Sequence, residues 1–136
     1  MHLMVERKFQ PGFRLSVIDV LVLVLGGVGS GYANTFDRWF GIAVAFVVLH
    51  FFLFCNVLRL PRLPELIWAG VFSAMACGAI ALRFPPWSVV FGVSLMVTVA
   101  VAFIEIRRPS YHGVGWQTLN PGLPEWWRSA AVERKG

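Results

Sequence analysis

Apolar residues in this chain neither alternate nor recur on one face; they run on continuously. Four stretches stand out, at residues 15–35, 39–58, 66–82 and 87–106. A bilayer hydrocarbon core about 30 Å thick is crossed by roughly 20 helical residues, so each stretch is long enough, or nearly so, to span a membrane. Turn and breaker residues separate them: Asn34-Thr35 with Asp37, then Pro61 and Pro64, then Pro85-Pro86. Proline lacks an N–H and restricts the residue before it, so these positions are natural helix boundaries. Short connections force neighbouring helices to run antiparallel. The pattern predicts an all-α integral membrane protein, a four-helix up-down-up-down bundle over residues 15–106. An N-terminal tail (1–14) and a C-terminal tail (107–136) flank it.

Composition agrees with lipid rather than water as the solvent. Apolar residues make up 57 % of the 136 positions and charged residues 14 %, against about 25 % charged in soluble domains. The net charge of +5 would raise the question of nucleic acid in a soluble protein. Here the basic residues lie between apolar runs, and no nucleic-acid-binding motif is present. They set orientation instead. Arg7, Lys8, Arg14, Arg59, Arg62, Arg107, Arg108, Arg128, Arg134 and Lys135 fall on one side, and only Arg38 and Arg83 on the other. Positive charge is retained in the cytoplasm, which predicts both termini and the 59–65 loop inside, in a bacterial inner membrane. Residues 1–33 also carry the outline of a secretory signal, with Gly31-Tyr32-Ala33 as a small-x-small site. The expectation is that this segment is retained as the first span.

Helices in lipid associate through close packing of small residues. Gly70, Ala74 and Gly78 recur every four positions in the third run, beside Ala69, Ser73 and Cys77. Gly27 and Gly31 form a GxxxG pair in the first. Both are predicted packing faces. The second run is rich in Phe instead, suited to lipid, a pigment or a partner subunit. Cys55 and Cys77 lack paired spacing and are read as small packing residues, not a disulfide.

Ionisable groups inside a span are costly and mark functional candidates. Asp19, Asn56, Arg59 and Glu105 are expected to form a polar cluster at the cytoplasmic end, with Asp19 bonded to Asn56 or Arg59. Asp19 is also the one candidate for a protonatable group on a transport path. Its placement is similar to the acidic residue of small multidrug transporters, but their first-helix aromatic and glutamate pattern is absent. The glycine-rich first run is similar in kind to that of fluoride channels, without their arginine-tyrosine pattern. His50 lies mid-span and is a candidate axial ligand for haem or bacteriochlorophyll. Phe46 occupies the position four residues earlier, where antenna pigment sites resemble one another in carrying a small residue. His2 and His112 have no partner at metal-ligand spacing.

The C-terminal tail should be irregular from Pro109 to Gly122. A short interfacial helix should then begin near Pro124-Glu125, anchored by Trp126 and Trp127. Neither tail has enough apolar residues for its own core. No Walker loop, nucleophile elbow, HExxH or dinucleotide fingerprint occurs. The expected function is therefore non-catalytic: an accessory or structural subunit of a larger membrane complex, with a respiratory or photosynthetic assembly as the class considered. Its partners would be membrane lipids and other membrane subunits. The alternatives are a small transporter or channel through Asp19, and a pigment- or haem-binding subunit through His50.

Overall fold

A computed structural model describes residues 8–136; the start of the N-terminal tail, with His2 and Arg7, lies outside the described residues. Helix α1 (Val17–Phe36) begins two residues inside its apolar run because Ser16 caps it. The Ser16 Oγ accepts from the Asp19 N–H at 3.2 Å, and Asp19 Oδ2 accepts from the Ser16 N–H at 2.7 Å. This reciprocal capping box satisfies N–H groups that a helix start leaves without partners. Asn34 and Thr35, expected in a turn, are still helical. Asp37 alone makes the connection: its N–H closes α1 on the Ala33 carbonyl, and its carboxylate caps Trp39 and Phe40 of α2 (Arg38–Phe52).

The last five residues of the second span, Leu53–Val57, form a π-helical turn. Helix α3 (Arg62–Ala81) starts four residues before the expected position 66, so Pro64 does not separate the spans but lies in the first turn of α3. A first-turn proline is tolerated because its missing N–H would have had no intrahelical acceptor. Helix α4 (Trp87–Ile106) covers the predicted run. A single turn, α5 (Trp116–Leu119), and α6 (Leu123–Lys135) follow. Among the described residues there is no strand. Four helices of 20 residues each, counting the π turn with α2, are long and apolar enough to cross a membrane; at 1.5 Å per residue each reaches about 30 Å.

Helices α1 and α2 pack antiparallel through backbone approach. A Cβ on Gly41 would sit 2.6 Å from Asn34 Cβ and 2.8 Å from the Ser30 carbonyl oxygen, and one on Gly26 would meet Val48 at 2.6 Å. Ser30 Oγ locks the contact by donating to the Gly41 carbonyl at 2.7 Å. The glycines that matter here are thus Gly26 and Gly41. Gly27 and Gly31, predicted as a packing pair, face open space. Ala33 is the only buried residue of α1.

Helix α2 meets α3 and α4 through stacked rings. Trp68 and Phe72 of α3 lie nearly parallel at 5.4 Å, His50 stacks on Trp68 at 4.6 Å, and Phe46 packs on Phe72 and Phe91. Trp68 is almost fully buried, and its Nε1–H donates to the Ser94 carbonyl of α4 at 3.1 Å. Because these large residues turn inward, the small-residue row of α3 turns outward. Gly70 and Ala74 are exposed, and Gly78 approaches only the Phe84 carbonyl of its own loop. Cys55 and Cys77 are likewise free and exposed rather than packed inside.

Trp68→Ala should lower stability in detergent by about 3 kcal/mol, the cost of emptying a buried indole site. Trp68→Phe should keep the stack and lose about 1 kcal/mol with the hydrogen bond. The Ser94 hydroxyl is buried without a partner, so Ser94→Ala should be neutral or mildly stabilising. Thermal unfolding of the three variants checks the order.

Candidate functional site

Of the polar residues expected to cluster, Asp19, Asn56 and Arg59 each engage backbone groups near the end of the second span, while Glu105 pairs with Arg108. In the π turn the Leu58 N–H donates to Leu53 at 2.8 Å, five residues back, and the Leu60 N–H to Phe54 at 2.8 Å. Arg59 then takes a left-handed backbone conformation, φ 50°, uncommon outside glycine and asparagine. The Leu60 N–H is thereby withdrawn from the Asn56 carbonyl, Pro61 has no N–H to offer Val57, and both chain tails supply the missing donors. Arg14 N–H reaches the Asn56 carbonyl at 3.3 Å, and Val114 N–H reaches Val57 at 2.8 Å.

Side chains reinforce the junction. Asn56 is buried and its amide donates back to the Arg14 carbonyl at 2.6 Å. The Arg59 guanidinium donates to the Gln10 carbonyl. The tails are tied to each other through Gly12 N–H and the His112 carbonyl at 2.7 Å. Gly113 passes so close that a Cβ there would lie 2.7 Å from the Val57 and Leu58 carbonyl oxygens and the Tyr111 hydroxyl. Tyr111 is buried, donates to the Val114 carbonyl at 2.7 Å, and has its phenol pKa pushed up by that burial. Asn120 clips the tail by donating to the Pro109 and Tyr111 carbonyls. Phe9 sits edge-on to Trp116 and Trp127.

Asp19 is placed close to this junction. With Asn56 and Cys55 it lines a cleft of about 220 Å³. Its main partner is Ser16, whose N–H and Oγ–H both reach Oδ2, and the Asn56 side chain is a further, lesser hydrogen-bond partner. Glu105, buried on α4, pairs with Arg108 at 3.6 Å. Arg107 stacks over Phe103.

His50 stands apart from the junction. Its Nδ1 lies 2.8 Å from the Phe46 carbonyl, an oxygen that only accepts, so Nδ1 carries the proton. The imidazole is buried, stacked on Trp68 at 4.6 Å with the Phe46 ring beside it at 4.1 Å. These contacts, with the bond to the Phe46 carbonyl, hold His50 as part of the aromatic core. Among the described residues no three His, Cys, Asp or Glu side chains converge as a metal site.

The junction also borders a half-open cavity of about 700 Å³, lined by both tails, the residues after the π turn, the end of α4 and α6. A second, apolar groove of about 240 Å³ lies between α2 and α3 near Phe40, Phe72 and Trp87. The sequence reading missed Tyr111, Gly113 and Asn120. Their one visible signal was a Gly and an Asn within a tail too polar to pack by itself. The chain matches no protein-family model, no curated protein and no solved structure.

Asn56→Leu should free the N-terminal tail. Losing one buried hydrogen bond of about 1.4 kcal/mol predicts roughly tenfold faster amide exchange at residues 12–14, read by hydrogen–deuterium exchange, with total helix content unchanged.

Proposed function

We propose that this chain is a non-catalytic accessory subunit of a larger membrane complex in a bacterial inner membrane. It would act as an up-down-up-down four-helix bundle with both termini in the cytoplasm. The observation that carries the docking role is the outward small-residue surface. Gly70 and Ala74 on α3, and Gly27 and Gly31 on α1, are exposed, and among the described residues a Cβ on any of the three glycines would meet nothing within 4 Å. Flat faces of this kind let a second backbone approach closely, the main source of helix association in lipid. Helix α1 adds support: it packs on α2 and buries little else. The polar junction supports a structural role as well, since its hydrogen-bonding groups are engaged in holding the tails. The basic bias of that end supports the cytoplasmic orientation.

Two measurements test the proposal. Extracted from its native membrane in mild detergent, the chain should run in native mass spectrometry within an assembly containing other integral membrane chains. Gly70→Leu combined with Ala74→Leu should shift it towards the free form without loss of helicity. Recovery of the wild type solely as a lone monomer would overturn the docking role. For orientation, Ser129→Cys and Thr35→Cys are placed singly in a Cys55→Ser, Cys77→Ser background. An impermeant thiol reagent should label position 35 in intact spheroplasts and position 129 only after permeabilisation.

A further inference from the structure

The cavity at the tail junction has walls of one sign. Lys8, Arg14, Arg59, Arg108 and Arg134 line it, with Glu105 the sole carboxylate among the described lining residues. That carboxylate is already shared with Arg108. Five cations brought round one space by different segments repel one another, and burial together with the positive charge of Arg14 lowers the Arg59 pKa from its ordinary value. Such an arrangement is relieved by a bound anion.

We infer that this cavity is a binding site for the phosphate-bearing headgroup of an acidic phospholipid. Three observations select a headgroup over a single small ion. A volume of about 700 Å³ is far larger than a phosphate and lies within the range of organic-ligand sites, roughly 300–1,000 Å³. The cavity lies where the apolar helices stop, between Leu60-Pro61 after the second span and Glu105 at the end of the fourth, which is the depth of lipid phosphates. Trp126 and Trp127 form another part of its wall, and tryptophan prefers that same interfacial layer. Arginine forks pair with phosphate oxygens in two-point geometry, and basic pockets beside membrane helices recognise acidic headgroups by such contacts. The inference rests on the membrane-spanning character of the chain and not on the docking role, and it is tested on the isolated chain.

The full chain, purified in a neutral detergent, is titrated with phosphatidylglycerol, with phosphatidylcholine, and with inorganic phosphate, following tryptophan fluorescence and bound mass by native mass spectrometry. Phosphatidylglycerol should bind and survive as a discrete adduct, weakening as salt is raised. Phosphatidylcholine should not. Arg14→Gln and Arg134→Gln should each weaken binding roughly fivefold, the loss expected for one cation at an anionic surface, with unchanged helicity by circular dichroism. Arg38→Gln and Arg83→Gln, which remove cations outside the cavity, should leave binding as it is. Equal binding of the two lipids, or equal weakening by the two pairs of variants, would overturn the assignment. Inorganic phosphate binding as tightly as phosphatidylglycerol would also overturn it, in favour of a soluble anion. Loss of lipid binding in a chain that still joins its assembly would separate this site from the docking surface.

Discussion

A helix in lipid must satisfy its own backbone, because the bilayer core offers no water to the N–H and C=O groups. The hold of the second span on both tails answers that rule at the place where its helix ends. The second span ends in a π turn at Leu53–Val57 and Arg59 turns left-handed; the Leu60 N–H goes to Phe54 instead of Asn56, and Pro61 has no N–H for Val57. Asn56 is buried, so water is a poor substitute there. Arg14 and Val114 fill the two positions. Each tail is therefore held by a deficit in a membrane helix, which is why segments with no core of their own adopt a definite course.

The two helix contacts of the spanning region rest on different physics. Between α1 and α2 the contact rests on close approach at Gly41, the Val48 side chain over Gly26, and one hydroxyl bond, Ser30 to Gly41. Between α2, α3 and α4 the contact is a set of aromatic plates that carries its own polar anchor, the Trp68 indole on Ser94. The plates explain the orientation of α3. Trp68, Phe72 and Ala79 occupy its inward face, and the row containing Gly70 and Ala74 is consequently presented to whatever surrounds the protein.

The four spans were legible because length and hydropathy are one-dimensional properties. The limits of α4 and α6 were also close to expectation, with Pro86 just before α4 and Pro124 in the first turn of α6. Errors arose wherever a boundary depended on a single hydrogen-bonding residue. Ser16 and Asp19 show this clearly: a serine followed three positions later by an acid is a helix-start signature, yet within an apolar run Asp19 reads as an intramembrane charge. The direction in which a small-residue row faces is likewise not encoded in the row. It depends on where the largest residues of the same helix go, and on α3 they went inward. The π turn left no sequence signal, and the close approach of Gly113 has meaning only once the Val57 and Leu58 carbonyls are known to lie beneath it.

The same junction reconciles charge with fold. Basic residues are spread along the sequence from Lys8 to Arg134, and a positive-inside bias would be served equally well if they stayed apart in solvent. The backbone bonds to the π turn draw several of them round one cavity, at an electrostatic cost that orientation alone does not require. Glu105 offsets only part of it, since it is the one carboxylate among the described residues there and is paired with Arg108. A membrane surface rich in acidic lipid supplies the missing negative charge at the right depth. The arrangement that closes the backbone deficit of α2 thus creates a charge deficit beside it, and the surrounding bilayer is the source of counter-charge nearest to hand.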